Sequence, residues 1–341
     1  MKKLMIWGGF LGGSIIAAVL GIVIYLGVNR VVVIADTGDV SGLTEISYTE
    51  GLPGHDLFLE EDCTDGLFLR IPMESAIGAE NITMENQYVN RRLVMFIRGA
   101  TGFFYENNKI TGYVKPVEKA SYTVESEGVT LYLQLSELYE YESILDKGYL
   151  QVNLYKPSER YEKVVVLDAD FSGTLSSTEK EALSQIEEKC RTRLEAEGIR
   201  VYSASGKNKT AALEDRLMLI EQAKATLYIG LMLDDDKDAE RFGSYVCYNS
   251  LYFRPWLTNG DFADKMEQEL VTAVEGKALG LVEVEDGILP ELIIPAVIVC
   301  PGYVSHETEG KLLLSESYQE RIAEGICKGI AETFEELDNN S

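Results

Sequence analysis

The sequence predicts an α/β protein in three parts: an N-terminal transmembrane helix, a β-rich domain, and an α/β domain with a mainly parallel sheet and helices on both faces. Three observations support this prediction. An uninterrupted apolar run lies near the N-terminus, short strand-like runs separated by turn residues follow it, and strand and helix patterns then alternate. At roughly 100–200 residues per domain, the chain of 341 residues can hold two domains beyond the apolar run.

The apolar run at residues 4–28 predicts an uncleaved, single-pass membrane anchor over residues 1–30. Lys2 and Lys3 precede the run, and no charge interrupts it before Arg30. About 20 apolar residues span the hydrocarbon core of a bilayer, and the run continues beyond the length of a cleaved signal peptide. The two lysines favour an N-terminus inside the cell, so we expect the bulk of the chain to be extracytoplasmic, at the cell membrane.

Small residues recur every four positions on one face of this predicted helix. They are Gly9, Gly13, Ala17 and Gly21. Small residues at this spacing let two membrane helices approach closely, which predicts a homodimer. Glycine and alanine are also common in membrane helices that do not pair, so both interpretations stay open.

The charge and the rare residue types exclude several kinds of function. With 31 basic and 56 acidic side chains, the net charge is −25. Nucleic acid is therefore excluded as the main partner, because neutralising phosphates requires lysine and arginine. The only histidines, His55 and His306, are far apart in sequence, which excludes most zinc sites built on paired histidines. Five cysteines without a CxxC pair predict no disulfide framework.

Residues 31–160 predict a β-rich, sandwich-like domain. Strand-like runs fall at residues 30–34, 57–59, 93–97, 129–133 and 149–154. Turn residues separate these runs, which is typical of a sandwich or small barrel. Pro157 and Ser158 mark a domain boundary.

Residues 163–336 predict the α/β domain. Strand patterns fall at residues 164–167, 199–202, 227–233, 245–248 and 295–300, and helix patterns at 177–197, 213–220, 262–274 and from Ser317 onward. This alternation predicts a mainly parallel sheet with helices on both faces. We expect a capping box of Ser317 and Glu320 to begin the last helix, and an acidic tail at residues 337–341 to follow it.

Motifs in this domain resemble one enzyme family. The first strand is followed by Asp168-Ala169-Asp170-Phe171-Ser172-Gly173, the next helix carries Glu179 near its start, and the following helix carries Arg216. The last strand reads Pro295-Ala296-Val297-Ile298-Val299-Cys300, followed by Gly302-Tyr303 and Ser305-His306. In this order, the motifs resemble the zinc-dependent N-acetylmuramoyl-L-alanine amidases that cut peptidoglycan. Residues 81–154 are weakly similar, by strand pattern alone, to the β-sandwich targeting module that often precedes such amidases.

The resemblance implies a zinc site whose ligands have been replaced. The family binds zinc through two histidines and a glutamate, and a second glutamate acts as general base. The histidine positions are Phe171 and Met232, the base position is Cys300, and only the ligand-type Glu179 remains. Phenylalanine has no lone pair, methionine suits Cu(I) better than Zn²⁺, and one carboxylate cannot replace three ligands. The sequence therefore predicts an amidase fold without zinc and without another cofactor.

Ligand sites in such sheets lie at the carboxyl ends of the strands. The residues expected to line a vestigial binding cleft there are Asp170, Phe171, Met232, Asp234 and Cys300. We expect Phe171 and Met232 to fill the vacated metal position, because an empty polar cleft is costly.

Two other chemistries stay open at these strand ends. Cys300 and His306 could form a nucleophile and base, although a buried thiol and a surface-loop histidine explain the same residues. The aspartates at positions 168, 170 and 234–236 could gather Ca²⁺ or Mg²⁺, although such a charge run is also typical of a solvated loop.

The sequence favours a membrane-anchored, non-catalytic pseudoenzyme that binds peptidoglycan or an envelope or sporulation protein. One alternative is an active peptidoglycan amide hydrolase that uses Glu179 with other ligands, or Cys300 with His306. A second alternative is a structural role, in which paired anchors space other envelope proteins.

Overall fold

The computed structural model describes residues 31–32, 52–62, 66–206 and 209–340. The chain divides into two compact units, the first ending at Tyr155 and the second beginning at Lys156. The predicted anchor at residues 4–28, with its row of small residues, lies outside the described residues. No helix within the described ranges combines the length and apolar character that a membrane span requires.

In the described residues of the first unit, two β-sheets are accompanied by a short α-helix. Its elements are β1 (Val31–Val32), β2 (His55–Asp56), β3 (Leu59–Glu61), β4 (Leu69–Pro72), β5 (Ile82–Gln87), β6 (Arg92–Arg98), α1 (Gly102–Asn107), β7 (Ile110–Gly112), β8 (Val117–Val124), β9 (Gly128–Leu135), β10 (Glu140–Asp146) and β11 (Tyr149–Tyr155). One sheet has the order β1-β10-β11-β4-β7-β3, and the other has the order β2-β8-β9-β6-β5.

One apolar core lies within this unit and takes side chains from both sheets. Ile71 and Val152 come from the six-stranded sheet, and Met84, Met95 and Leu131 come from the five-stranded sheet. Alternating burial along β5 follows from the two-residue period of a strand, which turns every second side chain inward. This arrangement agrees with the predicted β-rich, sandwich-like domain.

The second unit is a six-stranded sheet with helices. Its elements are β12 (Val164–Ala169), α2 (Ser177–Ala196), β13 (Arg200–Ser203), β14 (Ser205–Gly206), β15 (Lys209–Thr210), α3 (Leu213–Ala223), β16 (Leu227–Leu231), β17 (Ser244–Tyr248), β18 (Phe253–Arg254), β19 (Leu257–Thr258), α4 (Asn259–Val274), β20 (Ala278–Glu283), β21 (Ala296–Cys300), α5 (Glu307–Leu313) and α6 (Glu316–Asn339). The sheet order is β13-β12-β16-β21-β17-β20, and every neighbouring pair is parallel except β21 and β17. The sheet is thus mainly parallel, as predicted.

Helices cover both faces of this sheet. Buried side chains of α2, α4 and α6 share a core with Leu167 and Ile229. Asp168 follows Leu167 on β12 and therefore points to the opposite face, where Arg216 of α3 contacts it. Helices α4 and α6 approach closely at Gly325, where a Cβ atom would lie 2.7 Å from the Cα of Leu270.

Helix α6 differs from its prediction at both ends. Its N-cap is Ser315, which makes no side-chain capping bond, and Glu320 instead pairs with Lys189 and Arg193 of α2. The predicted capping box of Ser317 and Glu320 is therefore wrong, because an ion-pair contact with another helix holds the glutamate. The predicted acidic tail is helical as far as Asn339, since the partly buried Leu337 packs against the core.

Candidate functional site

The candidate site lies where three neighbouring parallel strands end. Strands β12, β16 and β21 lie side by side, and Phe171, Met232 and Cys300 lie at their carboxyl ends. Backbone bonds hold these ends in register: the amide of Asp170 donates to the carbonyl of Leu231 at 2.8 Å, and the amide of Met232 donates to the carbonyl of Val299 at 3.0 Å. The structure therefore brings these three positions to one edge of the sheet, as the sequence predicts.

Two apolar side chains occupy this edge. Phe171 is only 4% exposed and belongs to the core of the second unit, while its backbone amide donates to Thr210 Oγ1 at 2.8 Å. Met232 is half-buried. Phe171 is thus buried in the core and Met232 is partly accessible, and the filling of the vacated metal position stays a prediction.

Cys300 is a buried thiol with a backbone partner. It is fully buried, and its Sγ donates to the carbonyl of Gly302 at 3.5 Å. Burial raises the pKa of the Cys300 thiol well above its usual value. Since the thiolate is the nucleophile, the neutral thiol is poorly suited to catalysis.

His306 begins helix α5 instead of serving as a base. Its Nδ1 accepts a hydrogen bond from the amide of Glu309 at 3.1 Å, and its ring lies 5.1 Å from that of Phe242. Among the described contacts, no hydrogen bond joins His306 to Cys300. The nucleophile–base alternative is thus not assembled in the structure, because helix capping engages the ring nitrogen that a base would use.

Glu179 has a helix-capping role. Its carboxylate accepts from the amide of Ser176 at 2.6 Å, and Ser176 Oγ accepts from the amide of Glu179 at 3.4 Å. This is a complete capping box at the start of α2. The candidate zinc ligand therefore stabilises a helix end.

The aspartates near the strand ends have separate partners. The aspartate–partner pairs are Asp168 with Arg216, Asp170 with Thr210, Asp234 with Tyr245, Asp235 with Thr174 and Asp236 with Arg241. In the described part of the chain, no group of three or more His, Cys, Asp or Glu side chains is arranged to hold a metal ion. The Ca²⁺ or Mg²⁺ alternative therefore gains no support from the geometry.

Comparison with known proteins shows which family the second unit is similar to. Residues 168–332 match the family model described as N-acetylmuramoyl-L-alanine amidase. The predicted resemblance to this amidase family is confirmed. We refer to residues 156–341 as the amidase-like unit.

Curated relatives and solved structures carry the same family name. The chain is 27% identical over 176 residues to a germination-specific N-acetylmuramoyl-L-alanine amidase of Bacillus subtilis, covering 51% of this chain and 71% of the relative. It is 26% identical over 144 residues to an uncharacterized cell wall amidase of Bacillus anthracis, covering 41% of this chain and 27% of that relative. The catalytic domain of the amidase CwlV from Bacillus (Paenibacillus) polymyxa is similar with a TM-score of 0.46 and 24% identity, covering 51% of this chain and 98% of that domain.

In the amidase-like unit, the side chains at the positions of the family's zinc ligands are not suited to bind zinc. Phe171 offers no lone pair, and Met232 offers a thioether, which is a poor ligand for Zn²⁺. Glu179 is held in its capping box, and the Cys300 thiol is committed to Gly302. A catalytic zinc site needs three protein ligands and an open position, so the positions that match the family do not supply one.

A buried glutamate that the sequence analysis missed lies elsewhere in the amidase-like unit. Tyr303 and Gly243 donate their backbone amides to the carboxylate of Glu309, at 2.7 Å and 3.0 Å. Glu309 is only 7% exposed and joins the loop after β21 to the start of β17. A sequence signal existed, since Glu309 stands three residues after the N-cap His306, where a capping glutamate is typical.

A second missed glutamate, Glu187, lies on the buried face of α2. Ser203 Oγ donates to Glu187 Oε1 at 2.6 Å, and Ser205 Oγ donates to Glu187 Oε2 at 3.1 Å. Burial raises the pKa of Glu187 to about 7, against the opposing effect of the two serine hydrogen bonds. The folded unit therefore holds a proton here that the unfolded chain releases at lower pH.

We expect this proton to make the unit less stable as the pH rises from 4.5 to 7. The pKa of Glu187 has its ordinary value of 4.5 in the unfolded chain and is about 7 in the folded chain. Between these two pH values the folded state therefore binds more protons than the unfolded state. Relative to Glu187→Gln, the parent chain should lose up to about 3 kcal/mol of unfolding free energy over the window. Urea unfolding of both chains at pH 5, 6, 7 and 8 measures the difference. The neighbouring Glu188→Gln serves as control, and a stability difference between the parent and Glu187→Gln chains that does not change with pH would contradict the expectation.

Proposed function

We propose that the chain is a membrane-anchored, extracytoplasmic pseudoenzyme that binds peptidoglycan through its amidase-like unit. The proposal rests on one observation: the chain keeps a domain similar to the family, but other residues occupy the positions of the family's zinc ligands and general base. Phe171, Met232 and Cys300 stand at one sheet edge, where the family pattern places two histidines and a general base. Without a bound zinc ion, these three positions supply no metal-bound water of lowered pKa to act as the nucleophile.

The polar rim of this edge supports a binding role. Tyr245 donates to Asp234 at 2.7 Å, and Arg241 lies over the ring of Tyr303. Met232 is partly accessible and is followed two residues later by Asp234, and small-ligand sites combine apolar and polar groups of this kind. The stem peptides and sugars of peptidoglycan offer matching apolar and hydrogen-bonding groups.

The anchor and the charge support an extracytoplasmic location. Residues 1–30 hold three bases and no acids, so the rest of the chain carries −25 − 3 = −28. This negative field favours neutral or basic partner surfaces over anionic polymers. Pairing of anchors through Gly9, Gly13, Ala17 and Gly21 would present two amidase-like units together.

The test is co-sedimentation of the detergent-solubilised full chain with purified peptidoglycan sacculi, with and without added Zn²⁺. We expect binding without release of peptides, and at least a tenfold loss of affinity in Met232→Glu. Phe253→Glu is the matched control, because Phe253 is an exposed aromatic residue on β18. Released peptides, or stoichiometric zinc in the purified chain, would overturn the pseudoenzyme assignment. Failure to bind sacculi would overturn peptidoglycan as the ligand and favour an envelope or sporulation protein.

A further inference from the structure

Two buried cysteine side chains meet between helices α2 and α6 of the amidase-like unit. The Cys327 thiol donates a hydrogen bond to the backbone carbonyl of Cys190 at 3.7 Å, and both cysteines are buried and free. The two residues are 137 positions apart in the sequence. The fold alone therefore brings these thiols together, and neither takes part in the candidate site.

The other two described thiols differ from this pair. Cys300 Sγ bonds to the carbonyl of Gly302, and Cys247 lies on β17 in register with Ile298. Both are buried and free. They provide matched controls, because they share the burial of the pair but lie on strands, outside the contact between α2 and α6.

A surface cavity gives access to one member of the pair. The cavity has a volume of about 200 Å³ and is lined by Arg193, Glu197, Glu324, Cys327, Lys328 and Ala331. Cys327 is 7% exposed and Cys190 is fully buried. A reagent in the cavity would therefore reach Cys327 first.

The charges around the cavity suit a small zwitterionic reagent. Arg193 pairs with Glu320, and Lys328 pairs with Glu324, so cations and carboxylates alternate at its wall. Small biological disulfides carry ammonium and carboxylate groups that complement such a wall.

We propose that Cys190 and Cys327 are a site of reversible disulfide formation, made by exchange with a small disulfide that enters this cavity. The Cys327 thiolate attacks one sulfur of the small disulfide, forms a mixed disulfide and releases one small thiol. Cys190 then loses its proton, attacks Cys327 Sγ, forms the Cys190–Cys327 bond and releases the second small thiol. The neighbouring Cys327 and burial raise the pKa of Cys190, so this second step is the slow one and its rate rises with pH. The two protein thiols are oxidised, the small disulfide is reduced, and the two protons end on the released thiols.

The Cys190–Cys327 disulfide would join α2 covalently to α6. A crosslink between residues so distant in sequence restricts the unfolded chain, and in the chain-entropy description such long loops give the largest stabilisation. The proposed extracytoplasmic location is the kind of compartment in which disulfides persist. Oxidation would therefore stabilise the packing of helices behind the candidate site without using any residue of that site.

The test treats the folded full chain, carrying Cys63→Ser, with cystine at pH 8 and maps peptides under non-reducing conditions. We expect a Cys190–Cys327 crosslinked peptide, loss of two titratable thiols, and a rise in Tm of at least about 5 °C that dithiothreitol reverses. Cys190→Ala should stop the reaction at a mixed disulfide on Cys327, and Cys327→Ala should leave Cys190 unmodified. Cys247→Ser and Cys300→Ser should leave the crosslink unchanged.

Two results would overturn the proposal. One is a mixed disulfide at Cys327 that persists in the parent chain without a crosslink to Cys190. The other is modification of Cys247 or Cys300 as fast as Cys327, which would indicate general unfolding. Both measurements use the parent chain, so they stay informative even if a substitution impairs folding.

Discussion

Replacing Arg216 with methionine should lower the unfolding free energy of the amidase-like unit by about 3–5 kcal/mol. Arg216 donates to Asp168 Oδ2 at 2.8 Å, and Tyr228 donates to the same oxygen at 2.5 Å. Asp168 is only 2% exposed. Burial raises the pKa of Asp168, and the Arg216 charge with the two hydrogen bonds opposes this effect. Without Arg216, a buried carboxylate keeps its desolvation cost but loses its counter-charge.

Urea unfolding at pH 7, followed by the fluorescence of Trp256, measures this loss. The double substitution Asp168→Asn with Arg216→Met should recover most of it, because no uncompensated charge is then buried. Arg241→Met is the control, since its ion pair with Asp236 lies at the surface and solvent screens such pairs. A single Arg216→Met chain as stable as the control would show that Asp168 takes up a proton or water at little cost.

The strands of the amidase-like unit could be predicted from the sequence because they are buried on both faces. Such strands appear as continuous apolar runs, and the runs at 164–167 and 295–300 correspond to β12 (Val164–Ala169) and β21 (Ala296–Cys300). Parallel neighbours end at one edge of a sheet. Once these strands are recognised, the sequence predicts that Phe171, Met232 and Cys300 lie at the same edge of the sheet.

The buried glutamates could not be predicted in the same way, because their partners lie far away in sequence. Glu187 bonds to Ser203 on the next strand, and Glu309 bonds to Gly243, 66 positions away. Glu187 stands one turn from Leu183 and from Cys190, on the buried face of α2. The helical period alone therefore placed it inward, but an acidic side chain there is more simply assigned to the surface.

The pairing of Cys300 with His306 fails for a similar reason. Six residues separate them along the chain, and nothing in that spacing indicates that His306 would cap α5 while Cys300 remains in the sheet. The N-cap bond to Glu309 and the ring contact with Phe242 fix the histidine on its own side of the loop. The capping bond therefore favours the interpretation in which Cys300 is a buried thiol and His306 lies on a loop, over the interpretation in which they form a nucleophile and base.

Replacing Glu309 with alanine should cost about 2–6 kcal/mol of unfolding free energy, because two buried amide donors would lose their acceptor at about 1–3 kcal/mol each. The donors are the backbone N–H groups of Tyr303 and Gly243. The loop after β21 should also loosen, since this carboxylate is its link to the start of β17. We therefore expect weaker binding of sacculi together with lower stability.

The control for this substitution lies on the same helix. Glu307 is 87% exposed and pairs with Lys311 one turn on, so Glu307→Ala should cost less than about 0.5 kcal/mol. Glu309→Gln should fall between the two, because a glutamine offers one acceptor oxygen where the glutamate offers two. Urea unfolding at pH 7 measures all three chains. A loss in Glu309→Ala no larger than in Glu307→Ala would mean that water replaces the carboxylate at both amides. The loop would then owe its position to its other bonds, among them the Val304–Asp234 and Asp234–Gly302 backbone bonds and the Asp236–Ser305 bond.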